Sequence, residues 1–353
     1  MPRVLILLLF ALLVGGCAET KQIMRYGETD AARVWPEAPE KPRYRYVGQL
    51  TGEENFTAEA PDSAGNTLRR FFKAIVGLGG EGTRRNDLER PQTGVVDANQ
   101  RILVTDAARQ AVFVFDRAAG TLSVWDRASA SDDYGFASPV GIGVANNGDV
   151  LVADAELGRV FRLSASGEPL AAYGAGELAR PTGLAIDPAT GHIFVADTGE
   201  HNIKIFSDAG ELLDIIGRQG TAPGYFNAPT HLAFRDGRLY VTDTFNARVQ
   251  VLDSDGKFLR SLGERGLYVG NLVRPKGVAA DSDGNIYVIE SFHDYLLVYD
   301  ALGRFLLPIG GTGSGIGQFY LPAGVWVDGK DRIYIADMFN GRVVILQYLP
   351  DEG

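Results

Sequence analysis

The chain has 353 residues, of which 34 are basic and 44 acidic, so its formal net charge is −10 at pH 7. A protein this acidic is not expected to bind nucleic acid or anionic lipid headgroups as its main ligand, because like charges repel. The single cysteine, Cys17, excludes an internal disulfide, a C-x-x-C-H haem attachment and a thiolate metal site, so the fold must depend on its apolar core.

The first 16 residues have the features of an export signal. Arg3 precedes an apolar run over 4–14 that is too short to span a bilayer, and two glycines come directly before Cys17. This segment resembles the bacterial lipobox, in which the cysteine is acylated and becomes the new N-terminus. The resemblance implies a lipoprotein signal peptide at 1–16, a lipid anchor on Cys17 and a place in the cell envelope. Ala18 implies sorting to the outer membrane, and an ordinary signal peptide with an incidental cysteine is the alternative.

Residues 17–43 are predicted to be the lipidated cysteine and a flexible tether. They are polar, charged and interrupted by Pro36, Pro39 and Pro42, and they show neither helical nor strand periodicity. We therefore expect the folded domain to occupy 44–353 and to be attached to the membrane by this tether.

One sequence pattern occurs six times in that domain: a proline, a short apolar strand, a turn, a second strand that ends in an acid, and a third strand. The prolines are spaced 48, 42, 48, 46 and 47 residues apart, at Pro91, Pro139, Pro181, Pro229, Pro275 and Pro322. The acids share one register, at Asp106, Asp154, Asp197, Asp243, Glu290 and Asp337. A period of about 40–50 residues built from short strands is typical of a β-propeller. The predicted fold is all-β, with six four-stranded blades.

The fourth repeat shows the predicted blade most clearly, with strand a at 229–234, strand b at 238–243, strand c at 248–252 and strand d at 257–263. These residues also carry a family resemblance, because the pattern resembles the NHL repeat. The match is close at 181–206, 229–252 and 322–346, and looser at 91–115, 139–163 and 275–299. The resemblance implies the fold but not the activity, since NHL propellers include enzymes, RNA binders and scaffolds.

The sixth repeat lacks its own strand d, because the chain ends at Gly353 shortly after strand c. Two N-terminal segments compete for that place, 71–77 and 43–48. The apolar residues from Leu68 to Val76 follow a helical spacing with good caps at Asn66 and Gly77, which favours a helix. We therefore predict a closing strand at 44–50 and an inserted helix at 67–76.

The d–a connections and b–c loops of such blades emerge on one face, here named the loop rim, whereas the opposite face has only tight turns. Function is expected on the loop rim. Its predicted ligand-binding residues are Arg248, Phe245, His293, Arg342 and Phe339, with Tyr225, Phe319 and Tyr320 as further aromatic residues. The strand b acids can accept backbone N–H bonds from the loops, which predicts a structural lattice around them.

Histidines interrupt the repeat in three consecutive blades: His201 and His293 in b–c loops, and His231 where four other blades have glycine. A single divalent metal held by His201, His231 and His293 is one hypothesis, with His231, Glu290 and Tyr295 as catalytic candidates. The resemblance supports it, since the peptide α-amidating lyase holds zinc through histidines on such a rim. However, b–c loops radiate outward, which separates these side chains.

The sequence favours a binding module over a catalyst. We expect a membrane-tethered NHL-type propeller that binds an envelope protein on its loop rim and needs no cofactor. The alternative is a metal-dependent lyase or lactone hydrolase with a histidine-centred site on the same rim.

Overall fold

The computed structural model describes residues 22–27, 33–58, 86–129 and 134–350. These residues form 27 β-strands and three 3₁₀ turns, at Glu53–Asn55, Thr244–Asn246 and Met338–Asn340. Four strands precede the first repeat: β1 (Gln22–Met24), β2 (Val34–Trp35), β3 (Tyr44–Leu50) and β4 (Phe56–Ala58). No helix in the described part of the chain is both long and apolar enough to cross a membrane.

The repeats form six blades, each an antiparallel meander whose first strand is innermost. Blade 1 contains β5 (Pro91–Val96), β6 (Ile102–Asp106), β7 (Ala111–Asp116) and β8 (Thr121–Trp125). Blade 2 contains β9 (Pro139–Val144), β10 (Val150–Asp154), β11 (Arg159–Leu163) and β12 (Pro169–Tyr173). Blade 3 contains β13 (Pro181–Ile186), β14 (Ile193–Asp197), β15 (Asn202–Phe206) and β16 (Leu212–Ile216). Blade 4 contains β17 (Pro229–Arg235), β18 (Arg238–Asp243), β19 (Arg248–Asp253) and β20 (Phe258–Leu262). Blade 5 contains β21 (Pro275–Ala280), β22 (Ile286–Glu290), β23 (Tyr295–Tyr299) and β24 (Phe305–Gly310). Blade 6 contains β25 (Val325–Val327), β26 (Arg332–Asp337) and β27 (Arg342–Tyr348).

Blade 6 is completed from the N-terminus, which confirms the predicted closing strand. β3 pairs antiparallel with β27, from Val343 opposite Leu50 to Tyr348 opposite Tyr44. β2 then adds a fifth strand outside β3. Because the first and last segments share one sheet, the ring is closed by backbone hydrogen bonds rather than by side chains alone.

The predicted tether is partly wrong within the described residues of 17–43. β1 pairs with β4, and Met24 and Trp35 are both buried. Met24 packs in the apolar cluster between blades 6 and 1, and Trp35 packs in the cluster between blades 5 and 6. These strands are only two or three residues long, so their apolar contacts leave no visible periodicity in the sequence. The signal peptide at 1–16, Cys17 and the helix at 67–76 lie outside the described residues.

The core lies between neighbouring blades rather than within a single sheet. In blades 1, 2, 3 and 5 the second strand of the blade is buried along its full length. Apolar residues on both faces of that strand contact the adjacent blades. The innermost strands approach closely where they meet around the channel. A Cβ atom added at Gly277 would lie 2.6 Å from the backbone nitrogen of Val325, so this position needs glycine.

Candidate functional site

The strand b acids form the structural lattice that the repeat predicted. Asp154, which is fully buried, accepts backbone N–H bonds from Ala137 at 2.8 Å, Ser138 at 3.0 Å and Leu157 at 3.0 Å. Asp106 and Asp337 accept backbone bonds from the equivalent connections of their own blades. Burial raises the pKa of Asp106 even though four backbone N–H groups oppose that shift. These carboxylates tie the b–c loop to the d–a connection in each blade.

Arg248 and Arg342 belong to the same lattice. Nε of Arg248 lies 2.8 Å from Oδ2 of Asp243, and its guanidinium also donates to the carbonyl of Tyr225. Nε of Arg342 lies 2.7 Å from Oδ2 of Asp337, and its other nitrogens donate to loop carbonyls and to the closing strand. We assign both arginines to the lattice rather than to ligand binding.

The three rim histidines have different surroundings. Nδ1 of His201 accepts the backbone N–H of Ala228 at 2.9 Å, and Nδ1 of His293 lies 2.9 Å from Oε2 of Glu290. His231 is buried in the wall of the central channel. In the described part of the chain, no three His, Cys, Asp or Glu side chains are grouped so that they could hold a metal. The structure therefore does not bring His201, His231 and His293 together.

The three catalytic candidates also have different surroundings. Glu290 is buried and accepts backbone N–H bonds from Arg274 and His293, as the other strand b acids do. Tyr295 begins strand c opposite Glu290 and lies at the outer part of the blade. His231 contacts neither group by a hydrogen bond, because both of its ring nitrogens have no hydrogen-bond partner in the described residues. Glu290 and His231 thus do not form an acid–base pair.

Three exposed phenylalanines occupy one register position on the loop rim. Phe245, Phe292 and Phe339 each lie two residues after the strand b acid of blades 4, 5 and 6. Their exposed fractions are 61%, 52% and 47%, which is high for an aromatic side chain. The same position in blades 1, 2 and 3 has Ala108, Glu156 and Gly199. At this register position the aromatic side chains are therefore confined to blades 4–6.

Two side chains extend this aromatic row around Phe339. The ring of Tyr320 contacts it edge-on with centroids 5.6 Å apart, and the guanidinium of Arg90 lies 5.5 Å from its centre. We name Phe245, Phe292, Tyr320 and Phe339 the aromatic row. Phe292 was missing from the sequence prediction, although its register with Phe245 and Phe339 would have identified it.

Two predicted rim aromatics have other roles. Phe319 is completely buried and packs in the core between blades 5 and 6, so its prediction as a surface residue is wrong. Tyr225 is stacked beneath Arg218, whose charge lies 4.5 Å from the ring centre and which also donates to the Tyr225 hydroxyl. Both residues follow a glycine-rich connection. The sequence alone does not show whether an aromatic residue at that place is buried or exposed.

The central channel contains a cavity of about 250 Å³. Its wall consists mainly of innermost-strand residues such as Leu184, Ile186, Leu232 and Phe234, with His231 among them. Burial, together with the nearby charge of Lys276, lowers the pKa of His231 to about 3. The imidazole is therefore neutral at physiological pH.

Two family models match parts of this chain. Residues 178–206 match the NHL repeat, and residues 271–349 match a family described as 6-bladed beta-propeller. No curated protein has a sequence that matches the chain.

Several solved structures have the same fold. Virginiamycin B lyase from Staphylococcus aureus is similar with a TM-score of 0.56 and 11% identity, over 93% of this chain and 98% of that one. An auxiliary nutrient binding protein from Bacteroides ovatus has a TM-score of 0.57 and 14% identity, over 74% of this chain and 70% of that one. A gluconolactonase from Xanthomonas campestris has a TM-score of 0.56 and 17% identity, over 74% of this chain and 87% of that one.

At such identities these likenesses show the fold and leave the activity open. The two matches and the six observed blades lead to the same result: the chain is a six-bladed β-propeller that contains an NHL repeat.

Proposed function

We propose that this propeller is a binding protein of the bacterial cell envelope that is anchored by a lipid on Cys17 and holds a protein partner on its loop rim. The observation that carries the proposal is the aromatic row, which exposes Phe245, Phe292 and Phe339 at one position of three consecutive blades. Exposed aromatic side chains that lie together are typical anchors of protein interfaces.

A protein is the partner that best suits this surface. Tyrosine, phenylalanine and arginine are enriched at protein interfaces, and Tyr320 and Arg90 flank Phe339. The net charge of −10 opposes nucleic acid. The lattice beneath the row holds the backbone of each b–c loop, so the aromatic side chains need little ordering when they bind.

The proposal is tested by site-specific photo-crosslinking of the full-length protein in its own cells. A photoreactive phenylalanine replaces Phe245 or Phe339, and in a matched control it replaces Glu156 at the same register of blade 2. We expect both row positions to give the same crosslinked protein, identified by mass spectrometry, and position 156 to give none. Equal crosslinking from all three positions would contradict a partner site on blades 4–6.

The lipid anchor has its own test. The full-length protein should incorporate a labelled fatty acid and fractionate with the outer membrane, whereas Cys17→Ala should do neither. A wild-type protein that stays unlabelled and fully soluble would contradict the anchor but would leave the rim proposal standing.

The metal-dependent lyase or lactone hydrolase takes second place. Nδ1 of His201 and Nδ1 of His293 already bond to Ala228 and Glu290, whereas both ring nitrogens of His231 are buried without a hydrogen-bond partner among the described residues. Elemental analysis of the purified full chain would revive this alternative if it found one bound metal that His231→Ala removes.

A further inference from the structure

Blades 1 and 4 differ from the other blades at the same two neighbouring positions of their inner strands. The second residue after the repeat proline is Thr93 in blade 1 and His231 in blade 4, and it is glycine in the other four blades. The residue before the strand b acid is Thr105 in blade 1 and Thr242 in blade 4, and it is apolar elsewhere. Each of these two blades therefore has a pair of polar residues at the channel end of the loop rim.

In blade 1 the buried hydroxyl of the pair is satisfied by hydrogen bonds. The hydroxyl of Thr105 donates to the carbonyl of Val140 in the next blade at 2.7 Å, and it also lies 3.2 Å from the carbonyl of Thr93. In blade 4 the equivalent bonds are absent. The Thr242 hydroxyl and both ring nitrogens of His231 are buried without a hydrogen-bond partner among the described residues. A buried polar atom left unpaired is destabilising, so three together call for a ligand or water.

The repeat shows where the His231 side chain points. A Cβ atom added at Gly183, the same position of blade 3, would lie 2.8 Å from the carbonyl oxygen of Thr230 and 2.9 Å from Cα of His231 in the next blade. By the same register the Cβ of His231 is directed at the backbone of Lys276 and Gly277 in blade 5. Gly277 has no side chain, which leaves room for the imidazole.

Lys276 supplies a positive charge at this place. Its ammonium forms no ion pair or hydrogen bond with any described residue, and its pKa is lowered by burial and by the neighbouring Arg274. Lys276 acts on His231 and Arg274 acts on Lys276, and both are cations. An unpaired, partly buried ammonium near a neutral imidazole favours a small anion.

The channel below this point is apolar. Leu232, Phe234 and Val278 line it together with residues of the other blades, and the cavity of about 250 Å³ lies at the small end of known ligand pockets. A ligand that fits both parts has one anionic group and a short apolar chain.

We propose that the channel mouth between blades 4 and 5 binds a small aliphatic monocarboxylate, with Lys276 pairing with the carboxylate, His231 donating a hydrogen bond to it and the channel wall receiving the chain. This site is separate from the aromatic row and does not depend on the partner proposed there.

The test is calorimetric titration of the purified full-length protein with hexanoate, and with hexanamide as an uncharged ligand of the same shape. We expect hexanoate to bind in the micromolar to millimolar range and hexanamide at least about tenfold more weakly, since the ion pair with Lys276 is lost. Lys276→Met, which keeps the apolar stem, should weaken hexanoate by a similar factor. His231→Gly restores the residue of four other blades and should also weaken binding.

Thr93→Gly is the matched control, because it makes the same change at the same register of blade 1. It should weaken hexanoate binding much less than His231→Gly does, because Thr93 lines the channel but takes no part in the proposed carboxylate contacts. Phe245→Ala on the loop rim should leave binding unchanged. A second readout is the NMR titration of the His231 ring, whose pKa should rise when a carboxylate binds beside it. No binding of hexanoate at millimolar concentration, equal binding of hexanamide, or an equal loss in Thr93→Gly would each overturn the proposal and leave ordered water as the occupant.

Discussion

The two halves of the loop rim are built on the same lattice but present different surfaces. In blades 4–6 the position two residues after the strand b acid is Phe245, Phe292 or Phe339, whereas in blades 1–3 it is alanine, glutamate or glycine. The backbone beneath this position is held in the same way in both halves, because each acid accepts N–H bonds from its own d–a connection. The lattice therefore explains the shape of the rim, and the side chains added to it explain why one half suits a partner.

The largest expected effect distinguishes the lattice of blade 6 from the lattice of blade 2. Arg342 neutralises the buried Asp337, whereas Asp154 of blade 2 is held by backbone N–H groups and Arg159 donates to the hydroxyl of Tyr134 instead. We expect Arg342→Met to lower the free energy of unfolding by about 3–5 kcal/mol, because it leaves a buried charge unpaired. Arg159→Met should cost less than about 1 kcal/mol. Urea titrations of both variants check this. Equal losses in the free energy of unfolding would show that the two arginines stabilise their blades to the same extent.

Blade 3 tests the same point through pH. Burial would raise the pKa of Asp197, but the ammonium of Lys204, 2.6 Å away, and backbone N–H groups hold it below the usual range. The stability from this depressed pKa is present above the unfolded pKa of aspartate and is lost as pH falls through the folded value. Lys204→Met should therefore destabilise the protein by about 3 kcal/mol at pH 7. The difference from wild type should shrink in urea titrations toward pH 3, and a difference that does not depend on pH would rule out the charge as its cause.

The third prediction concerns partner binding. The double variant Phe245→Ala with Phe339→Ala should weaken binding of the crosslinked partner by at least about thirtyfold, equivalent to about 2 kcal/mol, since exposed aromatics of this kind anchor interfaces. The melting temperature should hardly change, because both side chains are largely exposed. Glu156→Ala is the control for the opposite half, and binding measured by surface plasmon resonance should be unaffected by it.

The smallest effect is expected for Phe292→Ala. Its ring lies edge-on to His293, with centroids 4.9 Å apart, so it is partly supported by its own loop. We expect binding to weaken by about fivefold, or about 1 kcal/mol. If surface plasmon resonance shows no change, the row consists of two separate anchors in blades 4 and 6 rather than a continuous surface.

The placement of residues from sequence was correct where the repeat register carried it. Asp106 and its equivalents were predicted as loop acceptors from their position alone, and Phe245 and Phe339 were predicted on the rim. It failed at Phe319, which also follows a loop pattern but turns inward to fill the space between blades 5 and 6. A local pattern does not say on which side of a connection the neighbouring blade lies.

What the sequence by itself determined is the number of blades, the strands within them and the strand that closes the ring. The number of blades and their strands follow from the repeat period, and the closing strand follows from the strand that the sixth repeat lacks. Both signals lie in residues that are near each other in the sequence. Only the tertiary structure decided that Met24 and Trp35 are buried, that Arg248 and Arg342 belong to the lattice, and that His231 lies apart from His201 and His293. These outcomes depend on contacts between segments far apart in the chain, because each blade is packed by its neighbours, and no spacing within one repeat records them.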